Sequence, residues 1–298
     1  MNLKKLGILG YFDTMSNTES VEFAHAVEKL GYSVLWVPET FGRDPFVMAT
    51  HLLGATKEIV VGTAIVNVWK REAMATGAAA RTIGELFDDR FILGLGVSAG
   101  PFMIRNGLKY AKPVTFMREY LAGIKTGPFK APLPRHEPPI VLAGLLPKML
   151  RLGAEASDGI ITALMPPAHI ARLRAELGPN KLLLAQQMVM LEHDAAKARA
   201  GVRAFMRFYL NAPPYQRNFK AMGFSDDDLR GGGSDHLVDS IIAWGDERHM
   251  QERIAAHYAA GADHVYVIPL TAATDAEKLP PPSVDFTNMM SDPATQTT

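Results

Sequence analysis

The sequence predicts an α/β protein of the (β/α)8 TIM-barrel class, in which eight parallel strands form a ring surrounded by helices. Short, wholly apolar segments alternate with amphipathic segments along the chain, and there are about eight of the apolar ones. This alternation requires crossover connections and therefore a parallel sheet. The length of 298 residues suits a single barrel, so closure is favoured over an open sheet.

The apolar segments are rich in Val, Ile and Leu along their whole length, as expected for parallel strands covered on both faces. We interpret them as barrel strands one to eight. They are LGILG (6–10), SVLWVPE (33–39), IVVGTAIV (59–66), FILGLGVS (91–98), PIVLAGL (139–145), GIITALM (159–165), LLLAQQMVML (182–191) and HVYVIPL (264–270).

The segments between these strands have helical periodicity. In SVEFAHAVEKLG, Val21, Ala24 and Val27 fall on one apolar stripe, and Gly31 can end the helix. Asp194 is a favourable N-cap for the helix that begins DAAKARAG. Each predicted strand can therefore be followed by a helix that packs on the outside of the ring.

The longest stretch without a clear pattern runs from about residue 211 to 235 and contains NAPPY and RGGGSD. We interpret it as an excursion between strands seven and eight, and not as a domain boundary. The sequence thus predicts one barrel domain over residues 1–270. The remaining residues, 271–298, are polar and contain three consecutive prolines, which predicts a weakly ordered tail.

The composition argues against several classes of partner. Lys plus Arg and Asp plus Glu number 31 each, so net charge gives no reason to bind nucleic acid or an anionic membrane. The absence of cysteine excludes disulfides, thiol nucleophiles and cysteine-based zinc sites. No apolar run reaches membrane-spanning length, and the N-terminal apolar run is too short for a signal peptide. A cytoplasmic protein that binds a small-molecule substrate is expected.

The ends of the predicted strands show where the chemistry should be, because (β/α)8 barrels place reactive groups at the C-terminal ends of their strands. These ends are mostly apolar and aromatic, and include Tyr11, Phe12, Phe41, Trp69 and Leu145. Such a lining suits a flat, largely uncharged ring that makes a few hydrogen bonds. No histidine pair has metal-binding spacing, so no metal site is predicted. The phosphate-binding motif GxxxxGK[ST] is absent, which argues against phosphoryl transfer.

Four segments in combination resemble the bacterial-luciferase-like flavin-utilising oxidoreductases: LGYSVLWVPETF, IVVGTAIVNVW, DDRFILGLGVSAG and GADHVYVIPL. The resemblance covers roughly residues 3–270. Three further segments resemble the branch that uses the 5-deazaflavin coenzyme F420: PKMLRLGAEASDG, RNFKAMGFSDDDL and DHLVDSIIAWGDE. The resemblance implies F420 as cofactor, with FMN as the alternative.

The resemblance also implies site residues on strands two and three. In the family, the end of strand three carries a bulge with a non-proline cis peptide that backs the cofactor's central ring, and this bulge corresponds to Ala64 and Ile65. Asn67 corresponds to a position that contacts the cofactor. Glu39 and Thr40 correspond to an acid and its neighbour, often a histidine that transfers protons, so we expect them to be the catalytic residues.

Strands four and five are expected to supply the remaining cofactor contacts. Ser98 and Gly100 follow strand four, and Gly100 is expected to let the backbone turn beside the ligand. Sugar-phosphate-oxidising relatives often carry a glutamate there, so that substrate class is not expected. Gly144 follows strand five. Leu145 and Leu146 correspond to a glycine pair whose backbone N–H groups hold the cofactor phosphate at a helix N-terminus.

Some of these residues also have a purely structural interpretation. Glu39 could be a loop acid, and Asn67 could be a turn residue that bonds its own backbone. The segment RFILGLGVSAG fails the dinucleotide pattern GxGxxG because position 99 is alanine. We therefore expect Gly94 and Gly96 to permit close packing inside the barrel or beside a cofactor ring.

The predicted function is hydride transfer between F420 and a small organic substrate. Two alternatives stay open: an FMN-dependent luciferase-like monooxygenase, and a non-catalytic barrel that binds a flavin-like molecule, because fold alone does not decide between them. Family analogy also implies a homodimer that associates through helices two and three. Their segments MATHLLGA and MATGAAARTIG are rich in small and apolar residues.

Overall fold

A computed structural model, which describes residues 3, 6–40 and 42–271, shows a closed ring of eight parallel barrel strands. The order around the ring is β10–β1–β2–β3–β5–β6–β7–β8, and β8 pairs with β10 to close it. The strands are β1 (Gly7–Leu9), β2 (Val34–Val37), β3 (Val60–Thr63) with its short continuation β4 (Val66–Asn67), β5 (Phe91–Gly96), β6 (Ile140–Ala143), β7 (Gly159–Ile161), β8 (Leu182–Leu191), β9 (Ile242–Gly245) and β10 (His264–Leu270). The predicted (β/α)8 barrel is confirmed.

Helices connect the strands and cover the outside of the ring. They are α1 (Asn17–Lys29), α2 (Pro45–Ala55), α3 (Ala73–Leu86), α4 (Gly100–Arg105), α5 (Pro113–Thr126), α6 (Pro147–Ala156), α7 (Pro167–Leu177), α8 (Ala195–Leu210), α9 (Pro213–Ala221), α10 (Asp235–Ile241) and α11 (Glu247–Ala259). The N-cap predicted at Asp194 is present, since its carboxylate accepts hydrogen bonds from the backbone of Ala196 and Lys197.

Packed side chains close the barrel interior near its N-terminal end. Trp36 on β2 is fully buried, and its Nε1 donates to Nε2 of His264 at 3.1 Å. His264 therefore carries its proton on Nδ1, which donates to the carbonyl of Leu3 at 2.9 Å. Gly62 makes room for the indole, because a Cβ there would lie 2.4 Å from the Trp36 ring. A ligand must consequently bind at the opposite, C-terminal end of the barrel.

The chain between β8 and β10 differs in part from the prediction. It contains α8, α9, a 3-10 turn (Arg230–Gly232), α10, β9 and α11. β9 pairs with the last part of β8, outside the ring. The region around 211–235, which the sequence predicted to be irregular, contains α9. Pro213 and Pro214 occupy the first turn of α9, where proline is accepted.

Some predicted features fall on residues that the structure does not describe. Phe41 and the tail from residue 272 onward lie outside the described residues, so the predicted weakly ordered tail stays a prediction. Within residues 3, 6–40 and 42–271, no helix has the length and hydrophobicity that crossing a membrane would require.

Candidate active site

The third barrel strand is interrupted at the place where the resemblance implies a bulge. β3 ends at Thr63, β4 begins at Val66, and the peptide bond between Ala64 and Ile65 is cis. Thr63 anchors the segment, because its hydroxyl donates to the carbonyl of Gly94 and accepts from the Gly94 N–H, both at 2.9 Å. The expected cis peptide is therefore present, and its contact with a cofactor stays a prediction.

Two glycines of β5 make room for this bulge. A Cβ on Gly94 would lie 1.9 Å from the carbonyl oxygen of Thr63, and a Cβ on Gly96 would lie 2.7 Å from the Ile65 side chain. Glycine is thus needed at both positions for close packing inside the barrel. Ala64 and Ile65 are themselves half-buried, so part of the bulge is accessible from the C-terminal end of the barrel.

Glu39, which follows β2, holds the end of the same strand in place. Its carboxylate, only 5 % exposed, forms two hydrogen bonds with Arg71 at 2.7 and 3.0 Å and lies 3.4 Å from the Lys70 ammonium. One of its oxygens also accepts the backbone N–H of Asn67 at 2.7 Å. The carboxylate is thus fully engaged with groups of the protein, and this geometry favours the structural interpretation over proton transfer.

Thr40 and Asn67 are likewise hydrogen-bonded within the protein. The Thr40 hydroxyl donates to the carboxylate of Asp13. The Asn67 side chain is buried. Its Oδ1 accepts from the Trp69 backbone at 3.0 Å, and its Nδ2 donates to the sulfur of Met103 at 3.0 Å. Asn67 is thus a turn residue that bonds its own backbone, the structural alternative considered from the sequence. A catalytic role for Thr40 and a cofactor contact for Asn67 stay predictions.

The end of β5 differs from one of the expectations. Ser98 is exposed and has a left-handed backbone with φ of 54°. Gly100, by contrast, is the first residue of α4 and is not among the residues with positive φ. A Cβ on Gly100 would lie 2.9 Å from the Tyr110 ring. The expectation that Gly100 turns the backbone is therefore wrong, and its role is to let Tyr110 pack against α4.

The end of β6 leads directly into a helix N-terminus. Gly144 is buried, and a Cβ there would lie 2.9 Å from Leu150, so glycine lets α6 pack close to the strand. Leu145 and Leu146 are half-buried. Leu146 is the N-cap of α6 and provides no side-chain hydrogen bond to the first turn. An anion could therefore take the place of a capping side chain at this helix end.

Four tyrosines converge on the other side of the barrel end. Tyr11 follows β1, Tyr209 ends α8, Tyr215 lies on α9 and Tyr266 lies on β10. The Tyr209 and Tyr215 rings are in edge contact, with centroids 4.8 Å apart. The sequence analysis noted only Tyr11, because nothing in the spacing of the others indicates that the fold brings them together.

The tyrosine hydroxyls differ in their hydrogen bonding. Tyr266 donates to the carbonyl of Thr162 at 3.0 Å and accepts from Gln186 at 3.3 Å. The hydroxyls of Tyr11, Tyr209 and Tyr215 have no hydrogen-bond partner among the described residues. Each of these three hydroxyl oxygens keeps some solvent-accessible surface. Since the three side chains are half-buried, a bound molecule can reach these hydroxyls.

The surroundings of these phenols are apolar and uncharged. Burial raises the pKa of Tyr215 to about 12. Burial, reinforced by the other three tyrosines, holds the pKa of Tyr209 well above its ordinary value. The pKa of Tyr11 is raised by burial and by Tyr215. No charged side chain is among these causes, so the phenols are neutral at physiological pH and act as hydrogen-bond donors and acceptors.

The bulge after β3, Tyr11 after β1 and Ala143 at the end of β6 all lie at the C-terminal end of the ring, which we call the barrel mouth. Tyr11, Ala64, Ile65, Ala143, Tyr209 and Tyr215 are all partly exposed and pack against the same internal apolar cluster. Across the described part of the chain, no group of three or more His, Cys, Asp or Glu side chains is arranged to hold a metal ion. The mouth is thus suited to an uncharged, planar organic group.

Comparison with known families identifies the class of protein that this fold and site define. The model of the luciferase-like monooxygenase family matches residues 10–264. The match spans most of the chain, and the chain therefore belongs to this family. The resemblance stated from the sequence motifs is confirmed.

Individual relatives are more distant. Rv3520c of Mycobacterium tuberculosis, whose provisional name is coenzyme F420-dependent oxidoreductase, is 26 % identical over an alignment covering 88 % of this chain and 94 % of that protein. Among solved structures, an F420-dependent secondary alcohol dehydrogenase in complex with an F420–acetone adduct has a TM-score of 0.74 at 16 % identity, covering 98 % of this chain and 99 % of its own. The F420-dependent tetrahydromethanopterin reductase of Methanopyrus kandleri has a TM-score of 0.75 at 14 % identity, with coverage of 96 % and 97 %. At these identities the structural likeness establishes the fold.

Proposed function

We propose that this protein is an oxidoreductase that binds the deazaflavin coenzyme F420 at the barrel mouth and transfers a hydride between it and a small organic substrate. The observation that carries the proposal is the interruption between β3 and β4, where the half-buried Ala64 and Ile65 lie at the C-terminal end of the barrel. Membership in the luciferase-like family and the provisional name of the Mycobacterium relative support it.

The residues at the mouth fit such a cofactor. Ala64, Ile65 and Ala143 offer a flat apolar support for a ring system. The uncapped N-terminus of α6 beside Leu145 and Leu146 offers backbone N–H groups to a phosphate. When bound, F420 supplies the hydride-carrying carbon 5 of its ring, and the protein supplies orientation and a dry environment. Ser98, Gly144 and Asn67 would act as neighbours of the cofactor.

We assign supporting roles to the residues first expected to be catalytic. Glu39 holds Arg71 and the Asn67 backbone and thereby fixes β4 at the edge of the bulge. Thr40, through Asp13, ties the loop after β2 to the loop after β1. Hydride transfer itself needs no strong general base, which agrees with the sparse charge at the mouth.

Cofactor titration tests this proposal. We expect F420 to bind saturably and with higher affinity than FMN, as followed by absorbance and fluorescence. Leu146→Asp should weaken F420 binding at least about tenfold, because an aspartate N-cap occupies the N–H groups of α6 and repels the phosphate. The matched control is Leu133→Asp, which adds the same charge to an exposed leucine in the loop before β6, at the other end of the barrel.

The titration also separates the alternatives. Tight FMN binding without F420 binding would contradict the proposal and favour a luciferase-like monooxygenase. F420 binding without turnover across a broad panel of carbonyl and alkene substrates would favour a non-catalytic binding barrel.

We further propose that the protein is cytoplasmic and forms a homodimer through α2 and α3. Support for the dimer comes from apolar side chains that these helices leave exposed: Val47 at 70 %, Met74 at 54 % and Leu86 at 58 %.

A further inference from the structure

The three unpaired tyrosine hydroxyls at the barrel mouth have no role in the cofactor site proposed above. Tyr11, Tyr209 and Tyr215 come from three different parts of the chain, yet they pack against the same apolar cluster, and the Tyr209 and Tyr215 rings are in contact. Their hydroxyls make no hydrogen bond within the described part of the chain and are open to a bound molecule. A hydrogen bond is stronger in a low-dielectric site than in water. Three unpaired hydroxyls close together therefore indicate a ligand that forms hydrogen bonds with them.

The topology of the ring places these tyrosines opposite the cofactor residues. β1 and β6 lie four strands apart in the ring of eight, and β10 is the neighbour of β1. Tyr11 follows β1, whereas Ala143 and Leu146 belong to the end of β6. A ring resting on the bulge and on Ala143 would therefore present its other side toward the tyrosines. That position is where a second reactant must bind.

The surroundings of these hydroxyls favour an uncharged ligand. The Tyr209 ring packs edge-on against Phe208 and Tyr215, and burial and the other phenols hold its pKa above the ordinary value. A carboxylate or phosphate would lose hydration in such surroundings, which disfavours it. A neutral carbonyl oxygen, by contrast, accepts hydrogen bonds from phenols at little desolvation cost, and the aromatic edges of Tyr209, Tyr215 and Phe208 suit an apolar body.

We propose that Tyr11, Tyr209 and Tyr215 form the substrate subsite and bind the carbonyl oxygen of an uncharged ketone or enone. This inference rests on the proposed function only for the position of the cofactor. It assigns the tyrosines to substrate binding and not to the binding of the cofactor.

A chromophoric enone tests the subsite by binding, without turnover. The probe is 4-dimethylaminobenzylideneacetone, whose absorption moves to longer wavelength when its carbonyl accepts hydrogen bonds. We expect a saturable red shift with the full chain, titrated both without cofactor and with oxidised F420. Each of Tyr11→Phe, Tyr209→Phe and Tyr215→Phe should weaken binding by about 2- to 10-fold, and the triple variant should abolish the shift.

Two controls define the meaning of the result. Tyr32→Phe removes a hydroxyl that also lacks a partner but lies before β2, at the N-terminal end of the barrel, so it should bind the probe like wild type. The anionic analogue 4-dimethylaminocinnamate should bind wild type at least about tenfold more weakly than the enone. Circular dichroism melts establish that each variant is folded.

The outcomes distinguish this subsite from the proposed function. No saturable enone binding, binding that the three variants leave unchanged, or equal binding of the cinnamate would each overturn the subsite. Loss of F420 affinity in the Tyr→Phe variants equal to the loss of enone affinity would also overturn it, because the tyrosines would then hold the cofactor. Normal enone binding with no F420 binding would leave the subsite standing and reject the proposed function.

Discussion

The carboxylate of Glu39 shows how the chemistry of one residue depends on what surrounds it. From the sequence it is an acid at a strand end, where catalytic groups are found. In the structure it is nearly inaccessible and bound by Arg71, Lys70 and a backbone N–H. Both of its oxygens are occupied by these contacts. Its role is therefore to hold the strand that carries the bulge.

Replacement of Glu39 tests this role. Glu39→Gln replaces the carboxylate that binds Arg71 with a neutral amide, which has only one acceptor oxygen. We expect the free energy of unfolding, measured in urea, to fall by about 3 kcal/mol. Glu155→Gln is the control, because its ion pair with Arg118 is about half exposed on both sides, and we expect a change below about 0.5 kcal/mol. A Glu39→Gln protein with wild-type stability and wild-type cofactor affinity but no turnover would instead indicate acid–base catalysis.

At the scale of elements, the sequence predicts strands that form separate apolar runs and misses strands that do not. β8 and β10 have the predicted bounds because their apolar runs are long and bounded by polar residues. β4 is a two-residue continuation of β3, and β9 follows α10 without a break, so neither stands out as a run of its own. The tyrosine cluster could not be predicted, because positions 11, 209, 215 and 266 become neighbours only when the ring closes. The bulge was predictable through its resemblance to a family motif, not through any local propensity.

The packing of β5 against the bulge gives an element-scale prediction. Gly94→Ala would place a methyl group 1.9 Å from the backbone oxygen of Thr63, and backbone cannot yield as a flexible side chain can. We expect a loss of about 3 kcal/mol or more in the free energy of unfolding, or failure to fold. Gly54→Ala in α2, where the nearest atom lies 4.0 Å away, should be neutral or slightly stabilising. Equal stability of the two variants would show that the bulge is not tightly held.

At the scale of the whole molecule, the packed side chains that stabilise the barrel lie at one end, and the residues proposed to bind the reactants lie at the other. The N-terminal half is filled by Trp36 and its neighbours, while the bulge and the unpaired tyrosine hydroxyls lie toward the opposite end. Within the mouth, the bulge and the end of β6 form one side and the tyrosines form the other. Two reactants can therefore face each other between rigid walls, which is what hydride transfer requires of a protein.

The stability of the whole molecule should depend on pH through His257. Gln187 donates its amide to two backbone carbonyls, so its Oε1 accepts from Nε2 of His257 at 2.9 Å, and the buried imidazole is neutral. Burial, reinforced by Arg253, lowers the pKa of His257 to about 4. In the unfolded chain the histidine pKa is about 6.5, so between about pH 6.5 and 4 the unfolded state binds a proton here and the folded state does not. Stability therefore falls as the pH drops through this range.

Urea unfolding at several pH values measures this dependence. Between about pH 6 and 4.5, we expect wild type to lose stability faster than His257→Gln by up to roughly 1.4 kcal/mol per pH unit. His193→Gln, at an exposed position, should keep the wild-type slope. Identical slopes for wild type and His257→Gln would show that this histidine does not govern the acid sensitivity of the fold.

A crystal structure of the protein with F420 tests the central claim most directly. The account predicts density for the planar ring in van der Waals contact with Ala64 and Ile65, with the phosphate at the start of α6 and the free face of the ring toward Tyr11 and Tyr215. Density for the ring at any other place, or a mouth that stays filled by the protein's own side chains at saturating F420, would contradict it.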